Sequence, residues 1–129
     1  MKRNLFIILI LLFLAVVCIL EQVLVSQTLQ SLNEKSLILF NISNNSENIN
    51  SQNIVEKTHD LNEFWKENEN LLCFFINHKD MQEMGIELNK MRTYSALNNK
   101  EEYMVSLNLV IYYTKTFNHI MGLSLQNLI

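Results

Sequence analysis

The sequence predicts an all-α protein in which an N-terminal transmembrane helix continues into an antiparallel up-down helical bundle. Three observations carry that prediction. Residues 5–20 are an apolar run without one polar or charged side chain, preceded by Lys2 and Arg3. Beyond the run, apolar residues recur at alternating spacings of four and three, the period of a helix that buries one face. The 129 residues contain no Pro and only two Gly, Gly85 and Gly122, which argues against the turns of a sheet protein and against glycine-rich phosphate loops. Two segments are expected: a signal-anchor helix over 1–25 and an extracytoplasmic bundle over 26–129, with a loop at about 41–52.

The first element is set by its apolarity. Sixteen helical residues rise about 24 Å, and continuing through Val25 gives about 31 Å, the thickness of a hydrocarbon core. Nothing in the run marks an outward face, so a soluble core helix is a poor account of it. A cleaved secretory signal is the alternative to an uncleaved anchor. The small residues three apart that cleavage needs are missing, which favours the anchor. Cys18 invites a lipid-attachment reading, but it lies inside the run, after the bulky Val17. Lys2 and Arg3 precede the run and Glu21 follows it, so the positive-inside rule predicts a single pass with a cytoplasmic N-terminus.

The same helix is expected to run on to about Phe40, because Val25, Leu29, Leu32, Ser36 and Leu39 keep the 4, 3 spacing. An Asn/Ser-rich stretch then predicts the loop. Asn53 with Glu56 resembles a capping box, opening a helix of about 24 residues whose inner face is Ile54, Thr58, Leu61, Trp65, Asn68, Leu72 and Phe75. Asp80 with Glu83 is a second such start, followed by Met81, Met84, Leu88, Met91 and Ser95 up to a break at Asn98 and Asn99. Asn99 with Glu102 is a third, followed by Tyr103, Leu107, Val110, Thr114, Phe117 and Met121, with Gly122 placed to end the helix. Short connections make consecutive helices antiparallel. The apolar tail over 123–129 either packs back on the bundle or forms a docking strip.

These helices resemble a family of short bacterial membrane-anchored proteins known as domain of unknown function 4363. The resemblance rests on Trp65, on Phe75-Ile76-Asn77-His78-Lys79-Asp80, on the Leu88 and Met91 stripe, and on the ending from His119 through Asn127 to Ile129. It covers about the last 75 residues plus the anchor, and the final Ile129 stands where the family ending is aromatic. It implies an anchored, extracytoplasmic helical protein without an assigned activity, an accessory to a neighbouring membrane protein. It supplies no catalytic residues.

Chemistry is sparse. A net charge of −3 provides no basic field for nucleic acid. With Cys18 in the apolar run, Cys73 stands alone outside it and no intrachain disulfide is expected; beside Leu72 and Phe74 it suits a small buried residue. His59 and Glu63 share a helix face at i, i+4, a spacing that a metal site could use and that any solvated helix also produces. His78 at a helix junction and His119 near a helix end could cap helix termini or share a ligand or pH-sensing site. The spacing of Met81, Met84 and Met91 is that of a buried stripe rather than a copper site. No enzyme, metal or cofactor is expected. The candidate ligand or interaction residues are His78, His119, Trp65 and Asn127. The expected partners are membrane lipid around the N-terminal helix and another membrane protein, with a homo-oligomer also open. A small-ligand or pH-sensing bundle is the alternative function, and a metal-binding bundle stands behind it.

Overall fold

The computed structural model describes the backbone of residues 1–128 and the side chains of residues 1–122. It contains four helices: α1 (Lys2–Asn44), α2 (Gln52–Leu72), α3 (His78–Ala96) and α4 (Lys100–Leu128). Among the described residues there is no strand. Each helix packs on its chain neighbours and α4 closes the ring against α1, giving the expected up-down bundle. Polar contacts fix the antiparallel pairing. Lys100 Nζ, at the start of α4, donates to the Asn44 carbonyl at the end of α1, and Thr114 farther along α4 donates to Asn33 earlier in α1. Asn62 of α2 donates to the Leu88 carbonyl of α3, and Tyr113 of α4 donates to Glu83 of α3.

α1 is one uninterrupted helix of 43 residues with two characters. No residue before Val25 is buried. From Val25 onward Leu29, Leu32, Ser36, Leu39 and Ser43 are buried at spacings of four and three, so a core-facing stripe begins five residues after the apolar run ends at Leu20. The boundary expected at residue 25 is therefore a change of environment inside a helix. α1 also persists four residues beyond Phe40, which shortens the loop expected over 41–52 to 45–51. Ser43 continues the buried stripe, and the Asn45 amide still donates to the Asn41 carbonyl. A rich supply of Asn and Ser did not stop a helix whose next stripe position was in contact with the core.

The other inner faces are the expected ones. Ile54, Thr58, Leu61, Trp65 and Leu72 of α2, Met81, Met84, Leu88, Met91 and Ser95 of α3, and Tyr103, Leu107, Val110, Thr114, Phe117 and Met121 of α4 are all buried. Asn68 and Phe75 are only half-buried, and Asn62 takes a buried place outside that stripe, satisfied by the Thr58 and Leu88 carbonyls at 3.0 Å each. Leaving both amide hydrogens of Asn62 unpaired would cost more than the burial gains, so its partners are part of the packing.

The helix ends differ from expectation in four places. α2 starts after Ser51, not at Asn53, and ends at Leu72, so it has 21 residues rather than about 24. Glu56 does not reach back to a cap; it accepts from Gln52 Nε2 at 2.7 Å. α3 is capped by Asn77, whose side chain accepts from the Lys79 amide at 2.8 Å, leaving Asp80 in the first turn, where its charge suits the helix dipole. Neither His78 nor Asp80 performs the capping. Gly122 does not end α4, which continues to Leu128; its φ is not positive and a Cβ there would meet nothing, so it is an ordinary exposed helical residue.

The α3 to α4 break does fall at Asn98 and Asn99. Asn98 has φ +52°, its amide donates to the Ser95 carbonyl and the Asn99 amide to the Tyr94 carbonyl, the paired bonds of a left-handed helix terminus. Asparagine is one of the few non-glycine residues that tolerate this backbone. Asn99 Oδ1 then accepts from the Glu102 amide at 3.3 Å, as the third capping pattern predicts.

Candidate functional site

Three of the four sequence-predicted residues have described side chains, and they divide between a groove and a cavity. Trp65, on the inner face of α2, is only 4% exposed and forms the floor of an open groove between α2 and α3. Gly85 of α3 lies opposite; a Cβ there would sit 3.6 Å from Trp65 Nε1, so the glycine lets α3 run close over the indole. His78, Cys73, Glu69 and Gln82 line the same groove, which encloses about 330 Å³. It continues along the helices past Lys66, Asn89 and Arg92. Trp65 and His78 are thus brought together, as neighbours along one groove.

His119 is not in that groove. It is exposed on α4, next in sequence to Ile120, which lines a separate cavity of about 160 Å³ with Phe75, Ile76, Asn77, Asp80, Phe117 and Met121. His78 follows Asn77 of the same cavity, so the two histidines belong to the same end of the bundle. Both are exposed. The Asn127 side chain lies outside the described residues, as do those of the tail over 123–129.

The remaining chemistry resolves into structural contacts. The Glu63 carboxylate is bonded to Lys66 at 3.0 Å, and this hydrogen bond and charge hold it below the usual carboxylate range; His59, exposed on the same face, is a minor influence in the same direction. Among the described residues no three His, Cys, Asp or Glu side chains converge on a point that could hold a metal ion. Met84 and Met91 are fully buried and Met81 nearly so, as core residues. Cys18 and Cys73 are free, the first exposed along the apolar run and the second half-buried rather than buried.

Three features escaped the sequence reading. Tyr103 and Thr58 are stripe positions by their spacing, yet their hydroxyls are 2.7 Å apart in a buried contact between α4 and α2. Burial pushes the Tyr103 phenol up, and the Thr58 and Ser43 hydroxyls beside it pull the other way. Ser43 Oγ completes no hydrogen bond of its own, making it the unsatisfied buried polar atom of the described core. Tyr113 donates to Glu83 Oε2 at 2.8 Å, which, with burial, raises the phenol to about 12. A polar partner 30 or 45 residues away in another helix leaves no periodic signature, so no sequence signal points to these pairs.

The third feature is a second apolar stripe on α4. Val105, Leu109, Tyr112 and Ile120 are exposed, at positions that recur on the helix face away from the core. Tyr112 is 62% exposed, its ring edge-on to Tyr113, which stacks on Phe117. The spacing is present in the sequence, on the face opposite the Tyr103 to Met121 stripe.

The model of the family described as Domain of unknown function (DUF4363) matches residues 22–128. The chain belongs to that family. No curated protein and no solved structure is a match to it.

Proposed function

We propose that this member of the DUF4363 family is a single-pass accessory protein of a bacterial membrane, carrying a non-catalytic helical bundle on the extracytoplasmic side. The observation that carries the reading is the division of α1: a span long and apolar enough to cross a membrane, with none of it buried, passes without a break into the buried stripe that begins at Val25. A helix exposed all round in leucine, isoleucine and phenylalanine is stable where lipid surrounds it. Lys2 and Arg3 before the span, and the acidic Glu21 after it, support an inward N-terminus.

The exposed stripe of Val105, Leu109, Tyr112 and Ile120 supports a role in binding another membrane protein. An aromatic-centred apolar strip on a rigid helix is the kind of surface that anchors a helix–helix contact. The test is to extract the full-length chain from its native membrane in mild detergent and identify what co-purifies. An integral membrane protein retained in stoichiometric amount, and lost on Tyr112→Asp, is expected. A monodisperse, partner-free protein would overturn the accessory role. Orientation is checked separately: in intact cells a membrane-impermeant thiol reagent should label Asn45→Cys, and labelling only after lysis would reverse the topology.

A further inference from the structure

The turn between α2 and α3 carries Phe74, at 85% exposure the most exposed aromatic side chain outside the apolar run among the described residues. Helix pairing fixes the height of that turn against α1. Lys35 Nζ of α1 lies 5.3 Å from the centre of the Phe64 ring of α2, and the two helices are antiparallel. A step forward along α2 therefore matches a step back along α1. Leu72, eight residues beyond Phe64, comes level with Gln27, eight before Lys35, and Phe74 reaches the level of Val25. α4 gives the same height independently. Thr114 bonds to Asn33 at 3.1 Å, which sets Met121 level with Ser26, and Met121 shares its cavity with Phe75 and Ile76 of the turn.

Val25 is the first buried residue of α1, five residues past the end of the apolar run at Leu20 and about 30 Å from Leu5 along the helix, at the outer edge of the proposed span. We propose that the α2–α3 turn is a second membrane contact, in which Phe74 inserts its ring into the interfacial layer of the bilayer beside the outer end of α1. The inference rests on the reading of α1 as membrane-spanning. Aromatic rings favour that layer, and here the ring is presented on a held backbone: Phe75 and Ile76 are half-buried, and the Asn77 cap fixes the start of α3. The charges around the turn have both signs, with exposed Lys79, His78, Glu69 and Glu21 and half-buried Asp80. The ring rather than a charged headgroup therefore makes the contact, and zwitterionic lipid suffices.

The far end of the bundle supplies the control. Leu97, in the α3–α4 turn, is apolar and 69% exposed, but it adjoins the level of Asn44, about 29 Å from that of Val25 along α1. The test uses the full chain with Cys18→Ser and Cys73→Ser, reconstituted in phosphatidylcholine vesicles. A nitroxide is attached in turn at Phe74→Cys, Leu97→Cys and Leu12→Cys, and its collision rate with a water-soluble nickel chelate is measured. Burial of one large apolar side chain shifts a population about tenfold or more, so the label at 74 should be about tenfold less accessible to the chelate than the label at 97. Equal accessibility at 74 and 97, with the label at 12 shielded, would overturn the second contact and leave the anchor standing. Full accessibility at all three sites would overturn both.

Discussion

The two ends of the bundle are closed by different chemistry. At the far end the connections are stitched by side-chain amides and an ammonium group. Asn98 Oδ1 accepts from the Ile49 amide at 2.9 Å and the Asn50 amide at 3.4 Å, and Lys100 Nζ donates to the Asn44 and Ser46 carbonyls at 3.1 and 2.6 Å. Ile49, fully buried, plugs the core beneath them. At the end level with Val25 the polar closure is the Asn77 cap, and the surroundings are Phe74, Phe75, Ile76, Phe117 and Met121. A helix end in water needs partners for its free amides and carbonyls, and the far end supplies them from Asn and Lys. The near end is packed with buried and half-buried apolar side chains instead, and it presents one fully exposed ring, Phe74, among charges of both signs.

The comparison can be broken most severely through the core that both ends share. Leu88→Ala, at a fully buried position, should cost about 2–5 kcal/mol, measured by thermal unfolding of the full chain in detergent. Amide exchange should then lose protection at both ends together, and a loss confined to one end would show that they are separate units. Asn98→Ala should cost about 1–3 kcal/mol, because it removes the acceptor of two backbone amides and forces alanine into φ +52°. Asn98→Gly should recover only the backbone part.

Tyr113→Phe should cost about 1 kcal/mol and sharpen the pH behaviour. The hydrogen bond to Glu83, then burial, raises the Tyr113 phenol from 10 to about 12, so the folded state holds the proton more tightly than the unfolded chain. The stabilisation is complete below pH 10 and is lost as pH rises toward 12. Tyr103, raised by burial, contributes with the same sign, so the difference between parent and Tyr113→Phe unfolding curves across that range isolates the Glu83 contact. The smallest effect is expected at the turn: Phe74→Ser should change stability in detergent by less than about 0.5 kcal/mol. A larger loss would mean that the ring belongs to the fold and not to a contact outside it.

What could be read from the sequence was whatever repeats. The stripes from Val25 to Leu39, from Met81 to Ser95 and from Tyr103 to Met121 were legible because burial on one helix face imposes a period on every residue of it. Ends were less legible, since a cap depends on which of several competent side chains meets the free amide. Asn77 competes with His78 and Asp80 for the start of α3, and Asn53 lies two residues beyond the true cap at Ser51, yet Asn99 caps α4 as its spacing predicts. Gly122 shows the limit of a residue type used as a stop: α4 keeps its hydrogen bonds through it at a modest cost. Of the candidate site, Trp65 was visible as a large residue on an apolar face. Gly85 was not, because its importance is the absence of a side chain opposite the indole.

The absence of any proline or hinge between Lys2 and Asn44 has a mechanical consequence. A helix of this length is a lever of about 64 Å; on the proposed membrane-spanning reading one arm is embedded and the other, about 29 Å beyond Val25, forms one wall of the bundle. Tilting the embedded arm by about 20°, an ordinary angle for such a segment, would swing Asn44 sideways by about 10 Å relative to Val25. Bilayer thickness and lateral pressure would thus be converted into displacement at the polar far end, with the whole bundle carried as the pointer.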